Sequence, residues 1–155
     1  MAATRIFTPK NRLAEIIGDS QDPTAEALQA RAEARVESLK EDIEQFLAQR
    51  VATIERIATE REDILFAECL ALGEAALSVC EVAGSAGHKT LGEVARGIHA
   101  MVDALVTQGV WHTEALQAHM NALAVVAANP ETPVEDVGKM LARLKAMRDR
   151  IGVQD

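Results

Sequence analysis

The chain has 155 residues, a net charge of −8 and an aromatic content of 3%. This length suits one domain with a buried core, and the acidic balance argues against binding nucleic acid or anionic membranes, whose phosphates attract clustered Lys and Arg. Strong helix formers such as Ala, Leu, Glu, Gln and Arg fill the chain, and β-branched runs of strand length are absent. We therefore predict an all-α protein.

Several features of the sequence bear on the location of the protein. Three glutamates interrupt the apolar run over residues 64–83, which favours a buried helix over a transmembrane span. The first twenty residues contain no apolar segment followed by a small-residue cleavage site, as a secretory signal would require. Cys69 and Cys80 would lie about 16 Å apart on one helix, too far for a disulfide. We expect a cytoplasmic protein with two reduced thiols.

Residues 1–22 are predicted to form an N-terminal arm that contains a short amphipathic helix. Thr8 followed by Pro9 is typical of a helix start, and Gly18 would end the helix. The apolar side chains of the arm would either fold back onto the body or dock in a groove of a partner protein. They are Ile6, Phe7, Leu13, Ile16 and Ile17.

Residues 23–63 are predicted to form a long helical extension. Apolar positions stay in phase on a 3.6-residue period from Val36 to Ala83, which indicates one long helix or two nearly collinear helices. Capping boxes begin at Ser38 and Thr59, so a break near either residue is consistent with the pattern.

The first part of this helix carries an apolar stripe that the later helices are expected to be too short to cover. An uncovered stripe of this size would favour association with a protein partner, and a homodimer is the simplest assembly. The residues predicted to lie in the interface are Val36, Leu39, Ile43, Phe46, Leu47 and Ile54.

Residues 64–155 are predicted to form an antiparallel four-helix bundle, beyond which the long first helix extends. Charges are sparse up to Pro130, which is typical of helices that pack on more than one side. Short loops between helices of this length favour an up-down-up-down topology. The last helix is expected to place Met147 in the core and Arg148 on a basic outer face. Loop and capping signals place the four helices at 64–83, 91–108, 114–128 after a cap at Thr113, and 133–151.

The histidines are the residues most able to carry chemistry. His112 and His119 would lie about 10 Å apart along one helix, too far to share a metal ion, and no ligand pair has the spacing of a metal site. A thiol in an electropositive setting and a glycine-rich phosphate loop are both absent from the sequence. We therefore expect no enzymatic activity, no cofactor, no metal and no small-molecule substrate.

One chemical alternative is a histidine-phosphotransfer protein, a four-helix bundle with an exposed histidine on a helix. His88 has Lys at +1 and Gly at +4, as that class does, but it precedes the capping box at Thr90 and should lie outside the helix. His99 has a helical position, yet Asp103 lies one turn on and would repel a phosphate. His99 and His88 are the candidate phosphoacceptors of this alternative. Otherwise, His99 would pair with Asp103, and His119 would be a hydrogen-bonded core residue.

Two segments of the chain resemble a known family. They are Ala75–Val82 and Val110–Leu123, the second of which begins beside the single tryptophan. Over about residues 65 to 128, the chain is similar to the small helical proteins called chemotaxis protein E, found in alphaproteobacterial chemotaxis gene clusters. The resemblance implies a non-enzymatic accessory role in bacterial signalling. We therefore expect an adapter that binds other proteins.

Overall fold

The computed structural model describes residues 25–130 and 133–153, and all the regular secondary structure in these ranges is helical. The prediction of an all-α protein is confirmed. None of the helices in these ranges combines the length and the apolarity that a membrane span requires. The helices are α1 (Ala25–Ala58), α2 (Glu62–Ala67), α3 (Cys69–Ala83), α4 (Lys89–Gln108), α5 (Thr113–Ala128) and α6 (Val134–Arg150).

The chain divides into two compact units, residues 1–37 and 38–155. In the first unit the structure describes only the beginning of α1, where Leu28 and Val36 are each 53% exposed. The predicted N-terminal arm, with its five apolar side chains, lies outside the described residues.

The second unit contains a single hydrophobic core, which includes the end of α1. Val51, Ile54 and Ile57 are buried in one cluster with side chains of α3, α4 and α5. The end of α1 therefore packs with the helices that follow it, on both sides of the boundary predicted at residue 63.

The long helix expected to continue as far as Ala83 is interrupted twice. α1 runs through Ser38 and ends at Ala58, next to the predicted break at Thr59. The Thr59 hydroxyl donates to the carbonyl of Arg56 at 2.7 Å, and the residue that precedes α2 as its N-cap is Arg61. The second interruption, at Glu68, separates α2 from α3, so the helix predicted over 64–83 is two helices.

An ion pair links the two sides of this interrupted region. Arg56 donates from Nη2 to Oε2 of Glu68 at 2.5 Å and from Nη1 to Oε1 at 3.3 Å. The hydrogen bond from Arg56 lowers the pKa of the Glu68 carboxyl, and burial partly opposes this shift. The carboxylate therefore stays ionised in the folded state and can hold the α2–α3 junction against the end of α1.

α4 contacts α3, α5 and α6, and small residues let α3 approach it closely. A Cβ at Gly73 of α3 would lie 2.8 Å from Cγ1 of Val102 on α4, and one at Gly92 would lie 3.6 Å from Cβ of Ala83. Because Val102 is β-branched, it has few rotamers with which to move aside. A larger residue at position 73 would therefore push the two helices apart.

The helix ends follow the predicted punctuation, but the caps differ. Gly109, in the left-handed conformation with φ of 71°, ends α4 as expected. α4 begins after His88, so Thr90 lies within the helix, and α5 is capped by His112, whose Nδ1 accepts from the amide of Ala115 at 3.4 Å. Thr113, the predicted cap, is the first residue of α5. The capping box thus locates a helix start to within a few residues.

The close contact at Gly73 can be tested with two alanine substitutions. Gly73→Ala should destabilise the protein, since overpacking against Val102 outweighs the gain in helix propensity. Gly138→Ala is the matched control, because Gly138 is exposed within α6 and its Cβ would meet nothing within 4 Å. The free energies of unfolding of the two variants, measured in denaturant, should differ by about 2 kcal/mol. Equal stabilities would contradict the close approach of α3 and α4.

Candidate protein-interaction site

The apolar stripe of α1 is covered along only part of its length within the second unit. Leu47 and Ile54 are 3% and 0% exposed, whereas Leu39 is 51% exposed. The prediction that Leu47 and Ile54 lie on an uncovered surface is wrong. Both residues face the core of their own chain, where the beginning of α4 and the end of α5 lie beside α1.

Leu39, Ile43 and Phe46 form the less covered part of the stripe in this unit, although Ile43 packs against the core. Leu39 is exposed, and the other two are partly buried. Their spacing of four and three residues is that of the a and d positions of a coiled coil. The guanidinium of Arg50, the next position of the series, lies 5.0 Å from the centre of the Phe46 ring. The exposed stripe is therefore bounded at its Phe46 end by a cation–π contact.

His88 is held by a carboxylate. Its Nε2 lies 2.8 Å from Oε1 of Glu44, and this contact ties the start of α4 to α1. His88 lies outside the helix, as predicted, in the N-cap position of α4. A phosphoryl group on Nε2 would have to displace Glu44 and would then lie beside its negative charge. The geometry disfavours His88 as a phosphoacceptor.

His99 is partly buried between α4 and α3. Its Nδ1 lies 3.3 Å from the carbonyl oxygen of Gly73, whereas Asp103 is exposed one turn away. The expected pairing of His99 with Asp103 is wrong, because Nδ1 contacts the Gly73 carbonyl of the neighbouring helix. The His99 ring is therefore partly buried at a helix contact, which makes it less accessible to a receiver domain than a fully exposed histidine.

His119 is a hydrogen-bonded core residue, as predicted. It is 0% exposed, with Nδ1 2.7 Å from the carbonyl of Ala115 and Nε2 3.1 Å from Nη1 of Arg148. A carbonyl can only accept and a guanidinium can only donate, so the ring is neutral, with its proton on Nδ1. A Cβ at Gly97 would lie 2.5 Å from the Arg148 Nη1, so this glycine makes room for the pair.

Arg148 lies on the buried face of the last helix, so its prediction on the basic outer face is wrong. Arg148 is 8% exposed, while Met147, expected in the core, is 36% exposed. Arg148 is spaced from Leu141 and Leu144 as residues on one helix face are, so the periodicity of the sequence predicts that it is buried. Its charge predicts the opposite, an exposed position. At this buried position His119 accepts a hydrogen bond from Nη1 of the guanidinium.

The remaining chemical groups do not converge on a common site. Within the ranges that the structure describes, no cluster of three or more His, Cys, Asp or Glu side chains could hold a metal ion. The thiols of Cys69 and Cys80 are free, the first buried and the second partly buried.

Comparisons with known proteins leave the function to be inferred from the chain itself. No family model, curated protein or solved structure matches it. The resemblance to chemotaxis protein E over residues 65–128 stays a prediction. Any functional conclusion therefore depends on the geometry and chemistry of the described residues.

Phosphotransfer can be tested directly on the two candidate histidines. Incubation with a phosphorylated receiver domain should leave both His88 and His99 unmodified in mass spectrometry, since Glu44 and Gly73 engage their rings. His88→Ala and His99→Ala are the controls that would assign any phosphohistidine. A modification that one of these variants removes would contradict this expectation and favour the phosphotransfer function.

Proposed function

We propose that the chain is a non-enzymatic adapter that binds other proteins, with a homodimer through α1 as its simplest assembly. The observation that carries the proposal is the half-exposed Leu39 at the start of the coiled-coil series that continues with Ile43 and Phe46. A leucine at such a position contributes most to the free energy of association when a second helix covers it. From Leu47 onward the same face of α1 is buried in the core of its own chain. The apolar side chains of that part of the helix are therefore explained by packing within the chain.

The small size of the exposed stripe limits the binding free energy that this surface can contribute alone. Fully burying a large apolar side chain contributes about 1.5–3 kcal/mol, and these three side chains are already partly covered. A stable interface usually buries about 800 Å² on each partner. We therefore propose that Leu39, Ile43 and Phe46 form the centre of a larger contact, with polar residues of α1 around them.

The proposed fold of the second unit is an antiparallel four-helix bundle made of the end of α1 with α3, α4 and α5. Two contacts support it: Gln117 of α5 donates to the carbonyl of Ala58 at 2.8 Å, and Val126 lines the same groove as Leu47. α5 therefore runs antiparallel to α1. In this arrangement α6 would pack on the outside of α4 and α5.

The proposed setting is the cytoplasm of a bacterium, in a signalling pathway. It is supported by the resemblance to chemotaxis protein E and by the acidic charge of −8, which does not suit nucleic acid or anionic membranes. The phosphotransfer alternative is disfavoured, because Glu44 holds His88 and Gly73 engages His99.

The homodimer can be tested by placing a charge on the exposed stripe. In sedimentation equilibrium at micromolar concentration, the natural chain should be a dimer and Leu39→Asp a monomer, because the carboxylate would be buried in the interface. Leu39 lies outside the core cluster, so the monomeric variant should keep its helical circular dichroism. Gln45→Asp adds the same charge at another exposed position of α1 and is the matched control.

Two results would contradict this assembly. One is a natural chain that remains a monomer at these concentrations. The other is a Leu39→Asp variant with the mass of the dimer, which would show that the interface lies elsewhere. A Gln45→Asp variant that also dissociates would mean that charge, and not the apolar stripe, controls association.

A further inference from the structure

Two of the four aromatic residues in the chain meet at the corner between α2 and α5. The sequence contains one Trp and three Phe, and Phe66 contacts Trp111 edge to face, with ring centres 5.2 Å apart and planes at 81°. Phe66 is 51% exposed although it lies next to the largest side chain in the protein. Trp111 is partly buried against the core, so the pair leaves Phe66 as an exposed aromatic surface beside a fixed indole.

Hydrogen bonds fix the orientation of the indole. Trp111 Nε1 donates to Oγ1 of Thr113 at 2.9 Å, and the Thr113 hydroxyl in turn donates to a carboxylate oxygen of Glu62. This relay connects Trp111, just before α5, through the first residue of α5 to the first turn of α2. The indole is therefore held in place before any ligand arrives, which lowers the entropy cost of binding.

The two rings line an open pocket of about 670 Å³, whose other walls are charged. Glu62 and Asp63 supply two carboxylates, and Arg61 lies on the same rim. Arg61 Nε is 3.3 Å from Oδ1 of Asp63, but its side chain is 84% exposed and thus extends into solvent. The pocket combines aromatic surface with a negative charge that one exposed cation only partly balances.

We propose that this pocket binds the guanidinium group of an arginine side chain that a partner protein presents. This assignment rests on the proposed adapter function and specifies the chemical group that the partner protein presents. A planar guanidinium can stack on an aromatic ring while its N–H groups donate to carboxylates. The pocket offers both features in one place: the Phe66–Trp111 pair and the carboxylates of Glu62 and Asp63.

The chain already uses both kinds of contact for its own arginines. Arg50 lies over the ring of Phe46, and Arg56 donates two hydrogen bonds to Glu68. The proposed pocket combines these two contacts at one site. Arg61 carries the same charge as the incoming group and competes for Asp63, so it should weaken binding.

Trp111 provides a specific readout because it is the only tryptophan in the chain. Titration of the full protein with N-acetylarginine amide at low ionic strength should give a saturable change in tryptophan emission. N-acetylcitrulline amide, which has nearly the same shape and no charge, should give none. Added salt should weaken the response, because the carboxylates are exposed to solvent.

Substitutions at the rim should move the affinity in opposite directions. Asp63→Asn should weaken binding of N-acetylarginine amide by about two- to fivefold, and Arg61→Gln should strengthen it. Phe66→Leu keeps the apolar volume but removes the ring and should also weaken binding about two- to fivefold. Glu81→Gln removes an exposed carboxylate at the opposite end of α3 and is the matched control, with no change expected.

Several outcomes would overturn the assignment. An emission change that does not saturate, or that citrulline amide reproduces, would rule out recognition of the guanidinium. Unchanged affinity in Asp63→Asn, which alters a 64% exposed side chain and so should fold normally, would do the same. Free arginine binding more tightly than the amide would indicate an amino-acid site and contradict a protein partner, since its α-carboxylate should be repelled.

The outcome of this titration does not depend on whether the chain forms a homodimer. A protein that is monomeric in sedimentation but binds N-acetylarginine amide would contradict self-association through α1 and support the pocket. A dimer without an emission response would support the α1 interface and contradict the pocket. The two proposals can therefore fail separately.

Discussion

The burial of the end of α1 in the core of its own chain is the constraint on which the rest of the structure depends. Ile54 and Ile57 are fully buried, and Leu47 and Val51 nearly so. Burial of each such side chain contributes about 1.5–3 kcal/mol, so this part of the helix is not available to exchange for an external partner. It fixes where α4 and α5 can lie, and the part of the apolar stripe that it leaves less covered lies before Leu47.

The polar contacts of the second unit secure the position of α1. His88 reaches Glu44 on one side of the helix, Gln117 reaches the carbonyl of Ala58 at its end, and Arg56 binds Glu68. Each of these contacts joins α1 to a different later segment. Polar side chains that could carry chemistry in the sequence, such as His88, are therefore engaged in contacts between helices.

The sequence predicted the helical class and most of the later helix ends because local signals specify them. Gly109 and Asn129 each follow the last residue of a helix, and Pro133 immediately precedes α6. The break at Glu68 was not predictable in this way, because helix propensity and periodicity continue through it. Its ion pair with Arg56 joins residues twelve apart, which no local pattern reveals.

The candidate sites were predicted less well, for a related reason. Periodicity identified the apolar face of α1 but could not show that Leu47 and Ile54 are covered and Leu39 is not, since coverage depends on other helices. The contact of Phe66 with Trp111 joins residues far apart in the chain and leaves no motif. Where chemistry was local, as for the position of His88 before α4, the prediction was confirmed.

Hydrogen exchange of the full chain, followed by mass spectrometry at two protein concentrations, tests the central claim most directly. If the end of α1 belongs to the core of one chain, amides of residues 47–58 should be as protected as those of α4 at both concentrations. Protection of residues 39–46 should rise with concentration as the interface forms. Protection of residues 47–58 that appears only at the higher concentration would show that this stripe is buried between chains and would contradict the account.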